Sequence, residues 1–466
     1  MMLSRKLFLT SLAAAGAGWR RAWAADAKPI VKFGVMSDSH VTTDPETAEP
    51  LRRIFRHLSA EGVDAVLHAG DICEIGALTE LTHVAAAWKE AFPGGKNAAG
   101  KPVTPFFVFG NHDYHSASYM RGKPVTDEDR ATGILYNKEK AWQMLAGETF
   151  PGEVFTKTIN GITFIGAHWG HEAELAEWFK AHPLDASKPV FYVQHPHPTK
   201  TCFGDWASAN KPSREILMSH PNVFSFSGHS HITVSDDRAV WQGGFVSMGA
   251  GSARLTSLGR RSGCENTGMK PWKPGVIRHM PAASSGRAWQ ASIVTVYADR
   301  VEVTRRDYCN DESLGAPWRI DFPFRHDSEK PYLVADSACA PQFPAGAKVE
   351  VSEREGRRMP DRVKEPQVHI TVPVAIGDGP YARAFYYRVE ALDAADKVVL
   401  ERKVAQEHTA YAEARTCQTK GWCAFAKDEL PKGVALRFRV YPQNTSGKEG
   451  RPITSAPITL AEGLKS

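Results

Sequence analysis

The sequence predicts a two-part molecule: an α/β domain over residues 28–328 and an all-β module over residues 330–466, behind an export signal at residues 1–24. Three observations carry this reading. From residue 30 onward, apolar strands alternate with amphipathic helices. Residues able to bind metals recur just past the ends of those strands. After about residue 330 the pattern changes to short alternating strands separated by turn residues. The length agrees, because 466 residues exceed what a single core usually supports.

Residues 30–37, 63–69 and 103–109 are apolar runs, and each stops at a polar cluster. The clusters are Asp38, Gly70-Asp71 and Gly110-Asn111-His112-Asp113. Between these runs, residues 50–60 place Leu51, Ile54, Phe55 and Leu58 at helical spacing, and residues 78–92 repeat that pattern. Further strands at 161–167, 189–194 and 222–227 lead to His168, to His195 and to Gly228-His229-Ser230-His231. In open α/β sheets ligands bind beyond the carboxyl ends of the strands. Six strand ends carrying Asp, Asn or His are more than core packing explains. Residues 240–255 and 289–305 read as the strands that complete the domain. The segment between them, 254–288, is of a length that is usually either functional or disordered. It holds Arg254, Arg260, Arg261, Arg278, Arg287 and Trp272, with Trp289 just beyond it.

Residues 346–355, 367–375, 383–392, 397–404 and 434–442 alternate as short strands, the pattern of a β-sandwich. The closing stretch 434–448 resembles the last hairpin of an Ig/fibronectin III-like module.

Composition narrows the function classes. Hydrophobic residues are 42% and charged residues 23%, with a net charge of +5, as in a soluble globular protein. So mild a balance argues against a nucleic-acid polymer or a membrane surface as partner. At the N-terminus, Arg5 and Lys6 precede an apolar run from Leu7 to about Gly18 and then Ala22-Trp23-Ala24, a small-x-small cleavage pattern. The run is too short for a bilayer, which needs roughly 20 apolar residues. It resembles a twin-arginine signal with Lys in the second position, so either export route fits. The expectation is an exported protein, periplasmic or secreted, with no membrane anchor after cleavage. The cysteines number seven, so complete intramolecular pairing is impossible. In an oxidising compartment Cys417 and Cys423 are the best disulfide pair and Cys264 and Cys309 the next. Cys73 reads as a packed thiol.

Hydrolysis of a phosphate ester needs a hydroxide nucleophile, neutralisation of the phosphoryl oxygens and help for the leaving group. Two cations a few ångströms apart supply the first two. Carboxylate, amide oxygen and imidazole suit Mn, Fe or Zn. No cysteine cluster is present for a structural zinc site. In chain order the blocks are Asp38-x-His40, Gly70-Asp71, Gly110-Asn111-His112-Asp113, His195 and Gly228-His229-x-His231. Together they resemble the calcineurin-like metallophosphoesterases over residues 30–325.

The resemblance implies two sheets packed face to face with helices outside, a four-layer fold. It implies a hydrolase in which a hydroxide held by two metal ions attacks phosphorus. Asp38, His40, Asp71 and His231 would hold one ion. Asp71, Asn111, His195 and His229 would hold the other, with Asp71 as bridge. His112 would meet the substrate phosphate or protonate the leaving oxygen, and Asp113 would orient His112. Purple acid phosphatases differ: they carry Tyr where this chain has Glu74, and they lack the histidine that His40 supplies. His168, His197 and Arg254 are the candidate substrate contacts. The substrate expected is a small phosphate ester. A nucleotide-specific or diester variant of the same chemistry stays open, as do a binding or adhesion protein with a vestigial metal site and a hydrolase for a non-phosphorus substrate. The sequence leaves the oligomeric state open.

Overall fold

A computed structural model of the chain describes residues 28–115, 122–202, 211–256, 288–324, 331–357, 363–377, 383–406 and 420–460. The export signal, Cys264, Cys417, Trp272 and the arginines at 260, 261, 278 and 287 lie outside these residues.

The first part of the chain forms β1 (Val31–Met36), β2 (Ala65–Ala69), β3 (Thr104–Val108), β4 (Val154–Ile159), β5 (Ile162–Ala167) and β6 (Val190–Val193). It continues with β7 (Val223–Ser227), β8 (Val240–Gln242), β9 (Val246–Gly249), β10 (Gln290–Val296), β11 (Arg300–Asp307), β12 (Glu312–Ser313) and β13 (Trp318–Asp321). One sheet runs β12-β11-β10-β1-β2-β3, with β13 also on β11, and the other runs β4-β5-β6-β7-β9-β8. Parallel pairing holds β1, β2 and β3 together in the first sheet. It also joins β5, β6, β7 and β9 in the second.

The sheets meet through aromatic side chains. Phe33 of β1 packs edge-on against Phe164 of β5, Phe191 of β6 and Phe226 of β7, at centroid distances of 5.1, 4.8 and 6.1 Å. Phe106 of β3 reaches Phe155 of β4. Such pairs add roughly 0.5–1.5 kcal/mol beyond burial. Strands covered on both faces read as continuous apolar runs rather than alternating ones, which is why the sequence shows them so clearly.

Helices cover the outer faces. Helix α1 (Glu49–Ala60) turns Leu51, Ile54, Phe55 and Leu58 inward, and a Cβ at Gly34 of β1 would sit 2.4 Å from Leu58. Helix α2 (Leu78–Ala91) packs Trp88 edge-on against Phe55 and Phe107. The helices Leu175–Ala181 and Lys211–Leu217 add Leu175, Phe179 and Leu217 to the same core. Two mixed sheets face to face with helices outside is the arrangement that the resemblance implies.

The C-terminal region is all β. It contains β14 (Glu350–Arg357), β15 (Lys364–Pro373), β16 (Tyr386–Leu392), β17 (Val398–Ala405), β18 (Lys420–Ala426), β19 (Ala435–Gln443), β20 (Ile453–Thr454) and β21 (Ile458–Thr459). Two antiparallel sheets, β14-β15-β18 and β17-β16-β19-β20 with β21 on β19, enclose Val368, Ile370, Val389, Phe425, Phe438 and Val440. The arrangement is consistent with a sandwich. Tyr332 and Ala335, which follow the boundary expected at 328–330, pack instead into the first core, while the second core begins with Phe343. No helix among the described residues is long and apolar enough to cross a membrane.

Candidate metal centre

Parallel pairing of β1 with β2 continues past the strand ends as a zipper of loops. The amides of Asp38, His40 and Val41 donate to the carbonyls of Gly70, Asp71 and Ile72 at 3.0, 3.1 and 3.0 Å, and Glu74 N–H returns to Val41 O at 2.9 Å. The zipper sets Asp38 and His40 beside Asp71. Positive φ angles mark the same places. Asp38, His40, Asp71, His229 and His231 lie at 53°, 44°, 53°, 66° and 56°. Left-handed backbone in non-glycine residues is costly and gathers at functional sites. Glycine permits the close approach. A Cβ at Gly228 would fall 1.7 Å from Ser37 Oγ and 2.4 Å from Asp38 Oδ2, and one at Gly110 would fall 2.3 Å from Asp71 Oδ1.

The side chains converge in two groups. Atoms of Asp38, His40, Asp71 and His231 lie within 4.8 Å of one another, as do atoms of Asp71, His195 and His229. Asp71 belongs to both. Its Oδ2 is 3.0 Å from His195 Nε2 and 3.8 Å from His40 Nε2, while Oδ1 accepts the His112 amide at 2.8 Å. Asp38 Oδ1 lies 3.1 Å from His231 Nε2, and both its oxygens accept the His229 amide.

Three histidines share one device. The Nδ1–H of His195 donates to Ala69 O at 2.7 Å, that of His231 to Leu255 O at 3.1 Å, and that of His40 to Glu74 Oε2 at 3.0 Å. Each bond fixes the tautomer and leaves the Nε2 lone pair turned inward. The inward nitrogens are then forced together: His40 Nε2 to His231 Nε2 is 3.1 Å, and His195 Nε2 to His229 Nδ1 is 3.1 Å. Facing lone pairs repel unless a proton or a metal ion sits between them or near them. Asn111 Oδ1 is buried with no hydrogen-bond partner, a costly state for an amide oxygen. Imidazole, carboxylate and amide oxygen are a donor set for Mn, Fe or Zn, so these residues fit bound metal ions.

Electrostatics point the same way. Burial alone would raise both carboxyls, yet the neighbouring histidines hold Asp38 and Asp71 well below the ordinary carboxylate range. Burial opposes the charge of His40 and His195 as well, but their carboxylate partners lift them to about 10 and about 9. Burial, with His195 beside it, pushes His229 down to about 3. The site thus gathers negative charge that protons neutralise in the absence of metal.

His112 stands at the rim. Its Nδ1–H donates to Glu74 O at 2.6 Å, and its ring lies 4.6 Å from that of His40. Asp113, expected to orient His112, does something else. Its carboxylate accepts the amides of Ile72, Cys73 and Gly110 at 3.1, 2.8 and 2.8 Å. Fully buried, it clamps the Asp71 loop to the Asn111 loop and leaves the His112 ring to Glu74.

The three candidate substrate contacts separate. His168 is a core residue: it stacks on Phe109, Phe150 and Phe155, and its Nδ1 accepts the Phe109 amide at 2.9 Å. No face of its ring is open to a substrate. His197 is buried, only 1% exposed. Arg254 does come to the site, where its guanidinium donates to the His40 carbonyl. Two neighbours escaped the sequence reading. Trp169 puts its indole 5.4 Å from the His229 ring and 5.8 Å from that of His195. Glu74 entered only as a departure from the purple acid phosphatase pattern. The signals were thin: Trp169 follows a strand end already credited to His168, and Glu74 is one of many acidic residues.

Comparisons with known proteins return several solved structures at low identity and one family model. A predicted phosphoesterase of Streptococcus pneumoniae is 14% identical, over 62% of this chain and 97% of that one, with a TM-score of 0.26. A purple acid phosphatase from yellow lupin, Lupinus luteus, is 13% identical over 62% of this chain and 53% of its own, with a TM-score of 0.40. Vps29 from Entamoeba histolytica, in a complex with zinc, is 11% identical over 62% and 99%, with a TM-score of 0.24. No curated protein matches. The family model for calcineurin-like phosphoesterases matches residues 31–233, and this part of the chain is a calcineurin-like phosphoesterase domain.

Proposed function

We propose that this chain is a phosphoesterase that hydrolyses small phosphate esters at a two-metal centre and acts outside the cytoplasm. One observation carries the two-metal reading: Asp71 is common to both ligand groups, and the same oxygen faces histidines of each. Asp38, His40, Asp71 and His231 would hold one ion, and Asp71, Asn111, His195 and His229 the other. Bound there, two ions supply charge neutralisation for the phosphoryl oxygens and activation of water.

The chain's own groups do the rest. With Nδ1–H committed to the Glu74 carbonyl, His112 has only Nε2 to offer. When protonated, Nε2 donates to a phosphoryl oxygen or to the departing oxygen. The Asp71 carboxylate orders the His112 backbone through its amide, so ligand and acid are set by one residue. Asp113 keeps the two loops in register. The C-terminal sandwich, read as fibronectin III-like, would serve as spacer or binding module.

Exchange of Asp71 for Asn removes the shared charge. Turnover should fall at least about 100-fold, the upper end of what losing a mere outer-shell partner costs. Metal content by elemental analysis should fall with it. Near-normal turnover in that variant would sink this site.

A further inference from the structure

We propose that Glu74 is a double positioning residue, setting a metal ligand with its carboxylate and the rim acid with its backbone carbonyl. The inference rests on the phosphoesterase reading above. Glu74 Oε2 accepts from His40 Nδ1 at 3.0 Å, and Glu74 O accepts from His112 Nδ1 at 2.6 Å. Facing atoms of His40, Glu74 and His112 lie within 4.8 Å of one another. The backbone is pinned where this requires, since Glu74 N–H donates to Val41 O at 2.9 Å and Cys73 bridges Val41.

The two contacts do different work. A carboxylate behind a ligating imidazole fixes the ring and raises its basicity. His195 and His231 have only neutral carbonyls behind them, so the ligand group of His40 gains the stronger acceptor. The carbonyl contact fixes the tautomer of His112 and therefore which nitrogen meets the substrate. Because it comes from the backbone, it survives any change of the Glu74 side chain. The two roles are separable by mutation.

The test is metal titration of chelator-stripped protein by calorimetry with Mn and Zn, for wild type, Glu74→Ala and Glu74→Gln. Glu74 reaches the solvent edge, its side chain being 39% exposed, so the variants should fold, and circular dichroism checks this. The expected result is about 10–100-fold weaker binding of one of two ions in Glu74→Ala, an unchanged second ion, and partial recovery in Glu74→Gln, which keeps an acceptor oxygen. With excess metal, Glu74→Ala should regain most of its kcat, because His112 remains oriented. Wild-type affinity for both ions in Glu74→Ala overturns the proposal while leaving the phosphoesterase reading intact. Failure of the wild type to bind two ions overturns both.

Discussion

His112 and Asp113 are adjacent, yet only one faces the chemistry. The imidazole is half-open and tied at a single nitrogen, whereas the carboxylate spends its acceptors on three amides. Replacing His112 with Gln should lower kcat by roughly 10²–10⁴-fold on an alkyl phosphate, the usual range for general acid catalysis. The loss should be much smaller on p-nitrophenyl phosphate, whose leaving group needs no proton, and two-ion binding should persist. Equal losses on both esters would restrict His112 to steadying the phosphate. The positions that converge at the candidate centre were legible because each follows an apolar strand and all recur in one order. The misplaced residues share a cause. His168 also ends a strand, but its ring turns into an aromatic cage that only the packing of Phe109, Phe150 and Phe155 reveals. The role given to Asp113 failed because the hydrogen bonds that decide it run to backbone, and backbone contacts leave no mark on residue type.

Among the elements, long apolar strands and α1 and α2 were visible in the sequence, while short or half-exposed pieces were not. Residues 175–181 bury only Leu175 and Phe179, too few for a helical period. β4 is a partly exposed edge strand interrupted by Lys157, and β18 opens on Lys420-Gly421. The β11–β12 hairpin shows what such pieces contribute. Asp307 is paired across the ladder with Glu312, and burial, with that neighbouring charge, lifts its carboxyl from near 3.8 to about 6. The folded state thus holds this proton more tightly than the unfolded chain does. The cost of ionising Asp307 is absent below about pH 4 and complete above about pH 6, so stability from this residue falls as pH rises through that window. The loss is of the order of 3 kcal/mol. Asp307→Asn keeps an acceptor for the Cys309 and Asn310 amides and should flatten that slope in urea melts at pH 4 and pH 7. An unchanged slope would contradict the assignment.

Across the whole molecule, an ion pair and a hydrogen bond join the two parts. Arg383, just before β16, binds Glu312 of β12 in a two-pronged pair, with both side chains 9% exposed. Arg238, held by Asp236, donates to the hydroxyl of Tyr386 at 2.7 Å. Breaking a buried pair from one side leaves the other charge stranded, at a cost of roughly 3–5 kcal/mol. Arg383→Ala should therefore lower the Tm, and a change within about 0.5 kcal/mol would mean the pair is solvated. Neither contact could be read from sequence, because their partners lie 71 and 148 residues apart. The candidate metal centre lies at the carboxyl ends of the parallel strands, where the function proposed above places two ions that cleave phosphate esters. The most direct test takes chain beginning at residue 25, strips it with chelator, and reloads it separately with Mn, Fe, Zn and Mg. Hydrolysis of p-nitrophenyl phosphate and bis-p-nitrophenyl phosphate is then followed beside bound metal per chain. Two ions per chain, with metal-restored cleavage of one ester over the other, is the predicted result. Fewer than two ions, or two ions with neither ester cleaved under any metal, would contradict it.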